Sequence, residues 1–324
     1  MRTRKLGWTD LKLTTIGLGT FAMGGAGWKF SWGPQDDQES ISAIRRALEL
    51  GINWIDTAAV YGLGHSEELV AKAIRGLRDK PIIATKCERV WDEKGNISGR
   101  LKRESIRSEV EASLKRLRIE VIDLYQIHWP EPDEDIEEAW ETMGDLIKEG
   151  KIRYAGVSNF NLGQLKRVQP IHPVASLQPP YSMLERGIEG KVLDYCLANN
   201  IGVIVYSPMQ KGLLTGKFTR QRVQNLPADD HRRRDPHFQE PELRANLELV
   251  EGLSSIADKS GMTVAELAIA WILRRPEITA AIVGARRPSQ IEETVVAADC
   301  ELSQQDIAAI DKLLDKRRKK LGLT

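Results

Sequence analysis

The chain has 324 residues, with 47 Lys and Arg against 46 Asp and Glu and 41% hydrophobic residues. Those values sit near globular averages and exclude disorder, collagen-like repeats and coiled coil. A net charge of +1 gives no general attraction to nucleic acid or a membrane surface, and no apolar run approaches the roughly 18 residues that span a bilayer.

The start, Met1-Arg2-Thr3-Arg4-Lys5, is basic but runs into Trp8-Thr9-Asp10 without an apolar core, so a cytoplasmic protein without a secretory leader is expected. Residues 2–14, with Asp10 near the turn, read as a β-hairpin. Thr15–Leu18 is the first strand candidate. A loop rich in Gly and Trp leads to a helix over Ser40–Leu50, with Asp37 ahead of it and Gly51 as its stop. Strand Ile52–Asp56, helix Glu67–Arg75, strand Pro81–Thr85, helix Arg103–Arg116, strand Val121–Ile127 and helix Ile136–Lys148 follow in turn, with Gly150 as the next stop.

Strand Tyr154–Val157 precedes a capping box, Asn161-x-x-Gln164. Strands Ala175–Leu177 and Gly202–Tyr206 come next, Gly202 reading as a helix stop. Phe218–Pro241 is long, polar and Arg-rich, which suits a functional loop. After Gly261, the box Thr263-x-x-Glu266 opens helix Thr263–Arg274, strand Ala280–Val283 follows, and Pro288 suits a first helical turn. Ser303–Lys320 reads as a terminal helix whose Lys316–Lys320 cations complement its dipole.

Eight strands, each followed by helical sequence, imply an α/β fold: a (β/α)8 TIM barrel with an N-terminal β-hairpin and a C-terminal helix. No composition break divides the chain, so residues 1–324 are expected to form one barrel domain. Cys87, Cys196 and Cys300 are too dispersed for a disulfide framework or a zinc site and read as reduced thiols.

In a parallel barrel, reactive side chains collect where strands end. Asp56 ends strand two and Tyr61 lies in the loop beyond; Lys86 follows strand three and His128 strand four. Each alone has a plain explanation: a turn-capping Asp, a solvated Lys, a packed Tyr, a core His. Together they face one mouth. That set suits proton delivery from a phenol: Lys86 would lower the Tyr61 pKa, Asp56 would hold Lys86, and His128 would orient a carbonyl oxygen. The electrons must come from a bound reductant.

Specific motifs accompany the quartet: Gly51-Ile52-Asn53-Trp54-Ile55-Asp56-Thr57-Ala58, Tyr61-Gly62 with Ser66-Glu67, Ala84-Thr85-Lys86, Asp123 to Pro130, Gly150-Lys151-Ile152-Arg153, Gly156 to Phe160, and Gly212 to Lys217. With them the chain resembles the aldo-keto reductases from Gly17 to about Ala298, and within them the bacterial branch related to general stress protein 69, through Gln178-Pro179-Pro180-Tyr181.

The resemblance implies NADP(H)-dependent reduction of a small-molecule aldehyde or ketone, with Tyr61 as general acid and Asp56, Lys86 and His128 around it. It places Thr20, Phe21, Asp56, Ser158, Asn159, Gln178 and Tyr206 at the nicotinamide. Ser207, Pro208, Met209, Gln210, Lys211, Gly212, Leu213, Leu214 and Lys217 would follow the pyrophosphate, with Arg232 closing over it. Gly284, Ala285, Arg286 and Gln290 would hold the 2′-phosphate, and Glu293 the adenine; Thr294 departs from the Asn common beside that Glu.

Trp32 and Trp129 are the candidate substrate contacts, within a group (Trp28, Phe30, Trp91) that could wall the mouth. No metal ligand set is apparent, and a monomer is the simpler expectation. Two rivals are weaker on sequence. Gly17-Leu18-Gly19-Thr20-Phe21-Ala22 matches a dinucleotide fingerprint, but Met23-Gly24-Gly25 follows where a helix must open. A metal-dependent hydrolase would want a His pair after strand one. The remaining alternative is an NADP(H)-binding redox-sensor module with little turnover.

Overall fold

Alternating side chains along the short strands serve two different apolar surroundings, as a sheet covered on both faces requires. In the computed structural model, which describes residues 1–323, eight parallel strands close into a barrel: β1 (Ile16–Gly19), β2 (Trp54–Asp56), β3 (Ile82–Cys87), β4 (Ile122–Ile127), β5 (Ile152–Ser158), β6 (Ser176–Gln178), β7 (Gly202–Val205) and β8 (Ala280–Gly284). Ile55, Ile83, Tyr125 and Ile127 point outward into the layer between strands and helices. Trp54, Ala84, Leu124 and Ile204 point inward.

The expected N-terminal hairpin is present, Thr3–Lys5 pairing antiparallel with Lys12–Thr14. Its Leu6, Leu11 and Leu13 pack against the inward-facing Trp54 and Leu124, which seals the end of the barrel where the strands begin. Trp54 Nε1 donates to Thr14 O at 2.9 Å, so the large ring is both packed and hydrogen-bonded. The other end is left for the strand-end loops.

Several boundaries differ from expectation. Asp36, not Asp37, caps the first helix (Asp37–Glu49), its carboxylate accepting from Glu39 N. Gly202 is not a helix stop. It begins β7, and the preceding helix has already ended at Ala198. Lys86, Ser158 and Gln178 belong to the last residues of their strands instead of the loops after them. Both capping boxes form as read, and the terminal helix runs Gln304–Lys320 from a third box at Ser303.

Two elements carry no clear pattern in the sequence. Arg89–Trp91 and Ile97–Gly99 form a small antiparallel hairpin in the loop after β3. Within 218–241 the chain makes one short helix, Arg220–Gln224, and two 3-10 turns, His231–Arg234 and Pro236–Phe238. Phe218 and Phe238 meet edge to face at 5.3 Å and anchor that excursion. No helix among the described residues is long and apolar enough to cross a membrane.

Candidate active site

Period-two alternation puts Asp56 on the same inner face as Trp54, Lys86 on the face of Ala84, and Gln126 on that of Leu124. The register then levels them, with Asp56 opposite Ala84 and Lys86 opposite Gln126. Lys86 Nζ lies 2.8 Å from each carboxylate oxygen of Asp56 and 2.9 Å from Thr57 O, with Tyr61 Oη at 3.3 Å. An ammonium has three N–H donors and four acceptors here, so the phenol receives the longest contact.

Tyr61 reaches this point from the loop after β2. Gly62 (φ +62°) makes the sharp approach possible, since a Cβ there would stand 2.1 Å from Gly24 O. Lys86 cannot accept a hydrogen bond, and among the described residues the Tyr61 hydroxyl has no other hydrogen-bond partner. Its proton is therefore left to the mouth of the barrel. His128 completes the group, its ring meeting that of Tyr61 edge to face at 5.7 Å.

One electrostatic expectation fails. Burial pushes the Tyr61 phenol well above its ordinary value, and the Asp56 carboxylate and Tyr206 push it further. The Lys86 ammonium, 3.3 Å away and already matched by the two oxygens of Asp56, does not outweigh that burial. Burial pulls Lys86 itself down, while Asp56 opposes the shift. Burial, then Lys86 and Arg89, hold His128 well below the usual imidazole range, so its ring is neutral at physiological pH with one N–H to donate.

A second polar group lies beside the first. Gln178 Nε2 donates to Asp56 Oδ1 at 2.8 Å. Ser158 Oγ donates to Gln178 O at 2.8 Å. Asn159, at φ +63°, donates to His128 O (2.9 Å) and to Ser158 Oγ (3.0 Å) and accepts from Tyr206 Oη (2.8 Å). Thr20 joins by donating from its hydroxyl to Asp56 O at 3.2 Å, and that hydroxyl accepts from Ser66 Oγ at 2.7 Å. Most of the residues expected at the nicotinamide thus lie in one connected network.

After β7 the chain turns along the rim, with Ser207, Gln210, Lys211 and Gly212 all at positive φ. Tyr206, Ser207, Gln210 and Lys211 line one side of a cavity of about 460 Å³, and Lys29, Phe30, His231 and Arg234 belong to the other lining. Leu213 and Leu214 are fully buried and Pro208 is buried, while Met209 packs against the core; these residues offer backbone to the rim.

The cations divide into paired and unpaired. Lys211 meets Asp235 at 2.5 Å, Lys217 meets Glu293 at 2.5 Å, and Arg232 meets Asp230 at 2.6 Å. Lys217, expected at the pyrophosphate, and Glu293, expected at the adenine, are therefore partners here. Arg286 instead binds neutral oxygens, including Gln35 Oε1 at 2.5 Å and Trp32 O at 3.2 Å. Arg286 N donates to Gln290 Oε1 at 2.7 Å, beside Gly284 and the buried Ala285. Thr294 is turned into its own helix, donating to Gln290 O at 2.9 Å.

Aromatic rings wall the mouth. Phe21 meets Tyr61 edge to face at 5.0 Å, Trp28 at 5.3 Å and Trp32 at 5.8 Å. Trp32 donates to His231 Nδ1 at 2.8 Å, with the Arg232 guanidinium 4.5 Å from its ring centre. Trp129 is placed differently, 37% exposed under Arg89. Trp91 packs under Arg116.

Sequence reasoning missed a buried carboxyl group behind His128. Glu88, at φ +90°, accepts from Trp129 N at 3.1 Å, and its own N donates to Glu109 Oε2 at 2.8 Å. Burial pushes Glu88 up to about 9, against the opposing Arg89 guanidinium 3.4 Å away, and Glu109 up to about 7, which favours a protonated Glu88 at neutral pH. Gln126 was missed as well; it lies inside the barrel near Gln178. Position on an inward strand register was the available signal for Gln126, and nothing local marked Glu88.

Comparison with known proteins gives a consistent result. The model of the Aldo/keto reductase family matches residues 15–315. The chain is 42% identical to aldo-keto reductase YhdN of Bacillus subtilis over 95% of its own length and 92% of that protein's. It is 35% identical to the NADH-specific methylglyoxal reductase of Escherichia coli, covering 97% and 99%. Among solved structures, the glycerol dehydrogenase AKR11B4 from Gluconobacter oxydans superposes with a TM-score of 0.88 at 38% identity, covering 97% of this chain and 95% of that one.

Proposed function

The chain belongs to the aldo/keto reductase family, and from that premise we propose that it reduces a small aldehyde or ketone to an alcohol, with Tyr61 giving the proton and NADPH as the preferred reductant. Nicotinamide-dependent carbonyl reduction is the coarser statement that the family and the named relatives support. The finer assignments rest on the site.

The observation that carries the reading is the Tyr61 hydroxyl, buried beside a cation that cannot take its proton. A phenol with a raised pKa keeps that proton until an alkoxide, a much stronger base, develops on the substrate. Transfer leaves a phenolate 3.3 Å from Lys86, whose charge stabilises it. Neutral His128 donates to the same carbonyl oxygen and orients it. Positioned proton transfer of this kind contributes about 10²–10⁴-fold.

The rim suits an anionic dinucleotide: positive-φ backbone after β7 lets a ligand approach closely, and cations run from Lys211 to Arg286. Reduced nicotinamide, when bound, supplies the hydride. Asp56, Thr20, Phe21, Ser158, Asn159, Gln178 and Tyr206 are assigned to its ring and amide, residues 207–214 with Lys217 and Arg232 to the diphosphate, and Gly284 to Arg286, Gln290 and Glu293 to the adenosine end. Arg286, with neighbouring Arg232 and Arg287 and no carboxylate bound to it, favours a 2′-phosphate.

Initial rates with NADPH and NADH over aldehydes, ketones, quinones and sugars test the reading. Turnover that is faster with NADPH is expected. Tight NADPH binding with no turnover on any carbonyl would instead make the chain a redox-sensing module.

A further inference from the structure

Gln35 lies outside every motif, two residues before the first barrel helix. Its side chain exchanges two hydrogen bonds with one residue far along the chain: Oε1 accepts from Arg286 Nε at 2.5 Å, and Nε2 donates to Arg286 O at 2.9 Å. Nε2 also reaches Ser40 Oγ at 3.1 Å, which ties the amide to the helix behind it. The rest of the guanidinium binds the same segment, reaching Trp32 O at 3.2 Å and Pro34 O.

What that segment carries is Trp32. The indole donates to His231 Nδ1 with the two rings side by side, 6.0 Å apart and 27° from coplanar, and its edge contact with Phe21 continues to Tyr61. One chain of contacts therefore runs from Gln35 through Arg286 and Trp32 to the phenol. We propose that Gln35 is a positioning residue for the carbonyl site: its clasp with Arg286 holds residues 32–35 and so fixes Trp32 as a wall of the mouth. The proposal rests on the carbonyl-reduction reading for its kinetic consequence, although the clasp itself does not.

A neutral amide is the fitting partner. Arg286 already has Arg232 and Arg287 nearby, and an amide holds its guanidinium without cancelling the positive charge that an anion would meet. Two of its five N–H donors remain for such an anion.

Hydrogen–deuterium exchange of the full-length protein over residues 30–36 tests the clasp, and steady-state kinetics with an aromatic aldehyde (4-nitrobenzaldehyde) test its consequence. In Gln35→Ala, losing both hydrogen bonds should speed exchange there by about threefold to tenfold. KM for the aldehyde should rise by a similar factor, with both NADPH and NADH and by more than kcat falls. Gln35→Leu keeps the volume without the hydrogen bonds and should match Gln35→Ala. Unchanged exchange in Gln35→Ala, or faster exchange with an unchanged KM, would overturn the proposal, as would parent-like behaviour of Gln35→Leu. A parent enzyme that reduces no aldehyde would overturn the carbonyl-reduction reading and the positioning role together, while exchange would still decide whether the clasp exists.

Discussion

Lys86 and Asp56 form a bidentate ion pair inside the barrel, 2.8 Å from the ammonium to each oxygen, with side chains 0% and 4% exposed. Breaking such a pair from one side leaves an uncompensated buried charge and costs about 3–5 kcal/mol. Lys86→Met should therefore destabilise the fold by that order in urea unfolding. Adding Asp56→Asn should restore most of the loss without restoring turnover. If Lys86→Met is as stable as the parent, the pair is not the buried element described.

Tyr61→Phe removes one oxygen and leaves the ring contacts with Phe21 and His128 in place. The expected result is a fall in kcat of at least about 10²-fold with NADPH affinity within a factor of about two. Stopped-flow turnover and fluorescence titration separate the two effects. A rate near that of the parent would remove Tyr61 from the acid role.

Glu88 makes stability fall as pH rises from about 4.5 to about 9. Its carboxyl titrates at about 9 in the folded chain against 4.5 in a free side chain. Between those values the folded state holds a proton that the unfolded chain releases, so stability declines as pH rises through this range. Glu88→Gln, which cannot ionise, should lose less Tm than the parent between about pH 6 and pH 9. Parallel curves for the two proteins would show that Glu88 is not protonated in the fold.

Arg286→Ala tests cofactor choice. Loss of charge-assisted hydrogen bonds to a phosphate should weaken NADPH by roughly 10- to 100-fold in direct titration. NADH lacks that phosphate and should lose less than about threefold. Equal losses would mean that Arg286 serves only the segment 32–35 that it clasps.

Much of the site was readable because its geometry follows strand parity. Asp56, Lys86 and His128 stand at strand ends on inward positions, so counting by two along β2, β3 and β4 brings them together. The barrel followed from eight strands each trailed by helical sequence, and the hairpin from a short segment outside that repeat. What parity could not show is which partner each group keeps. The Lys86 charge is matched by Asp56 at equal distances and the phenol is buried, so the net shift of Tyr61 is upward, and only coordinates give those distances.

Glu88 illustrates a different limit. It directly follows β3, the next hairpin folds over it, and Gly99 supplies the room: a Cβ there would lie 2.5 Å from Glu88 Oε1. Burial of that kind depends on a loop's path. The Arg286–Gln35 clasp joins residues 251 apart, and no local pattern marks either as the other's partner.

The central claim is hydride transfer to a carbonyl carbon with the proton coming from Tyr61. It is tested most directly with NADPH deuterated at the transferable position of the nicotinamide, incubated with an aldehyde and the parent enzyme. The account predicts an alcohol carrying one deuteron on its carbinol carbon, formed stereospecifically, and no such product from Tyr61→Phe at more than about a hundredth of the parent rate. An alcohol without deuterium, or one formed equally fast by Tyr61→Phe, would contradict it.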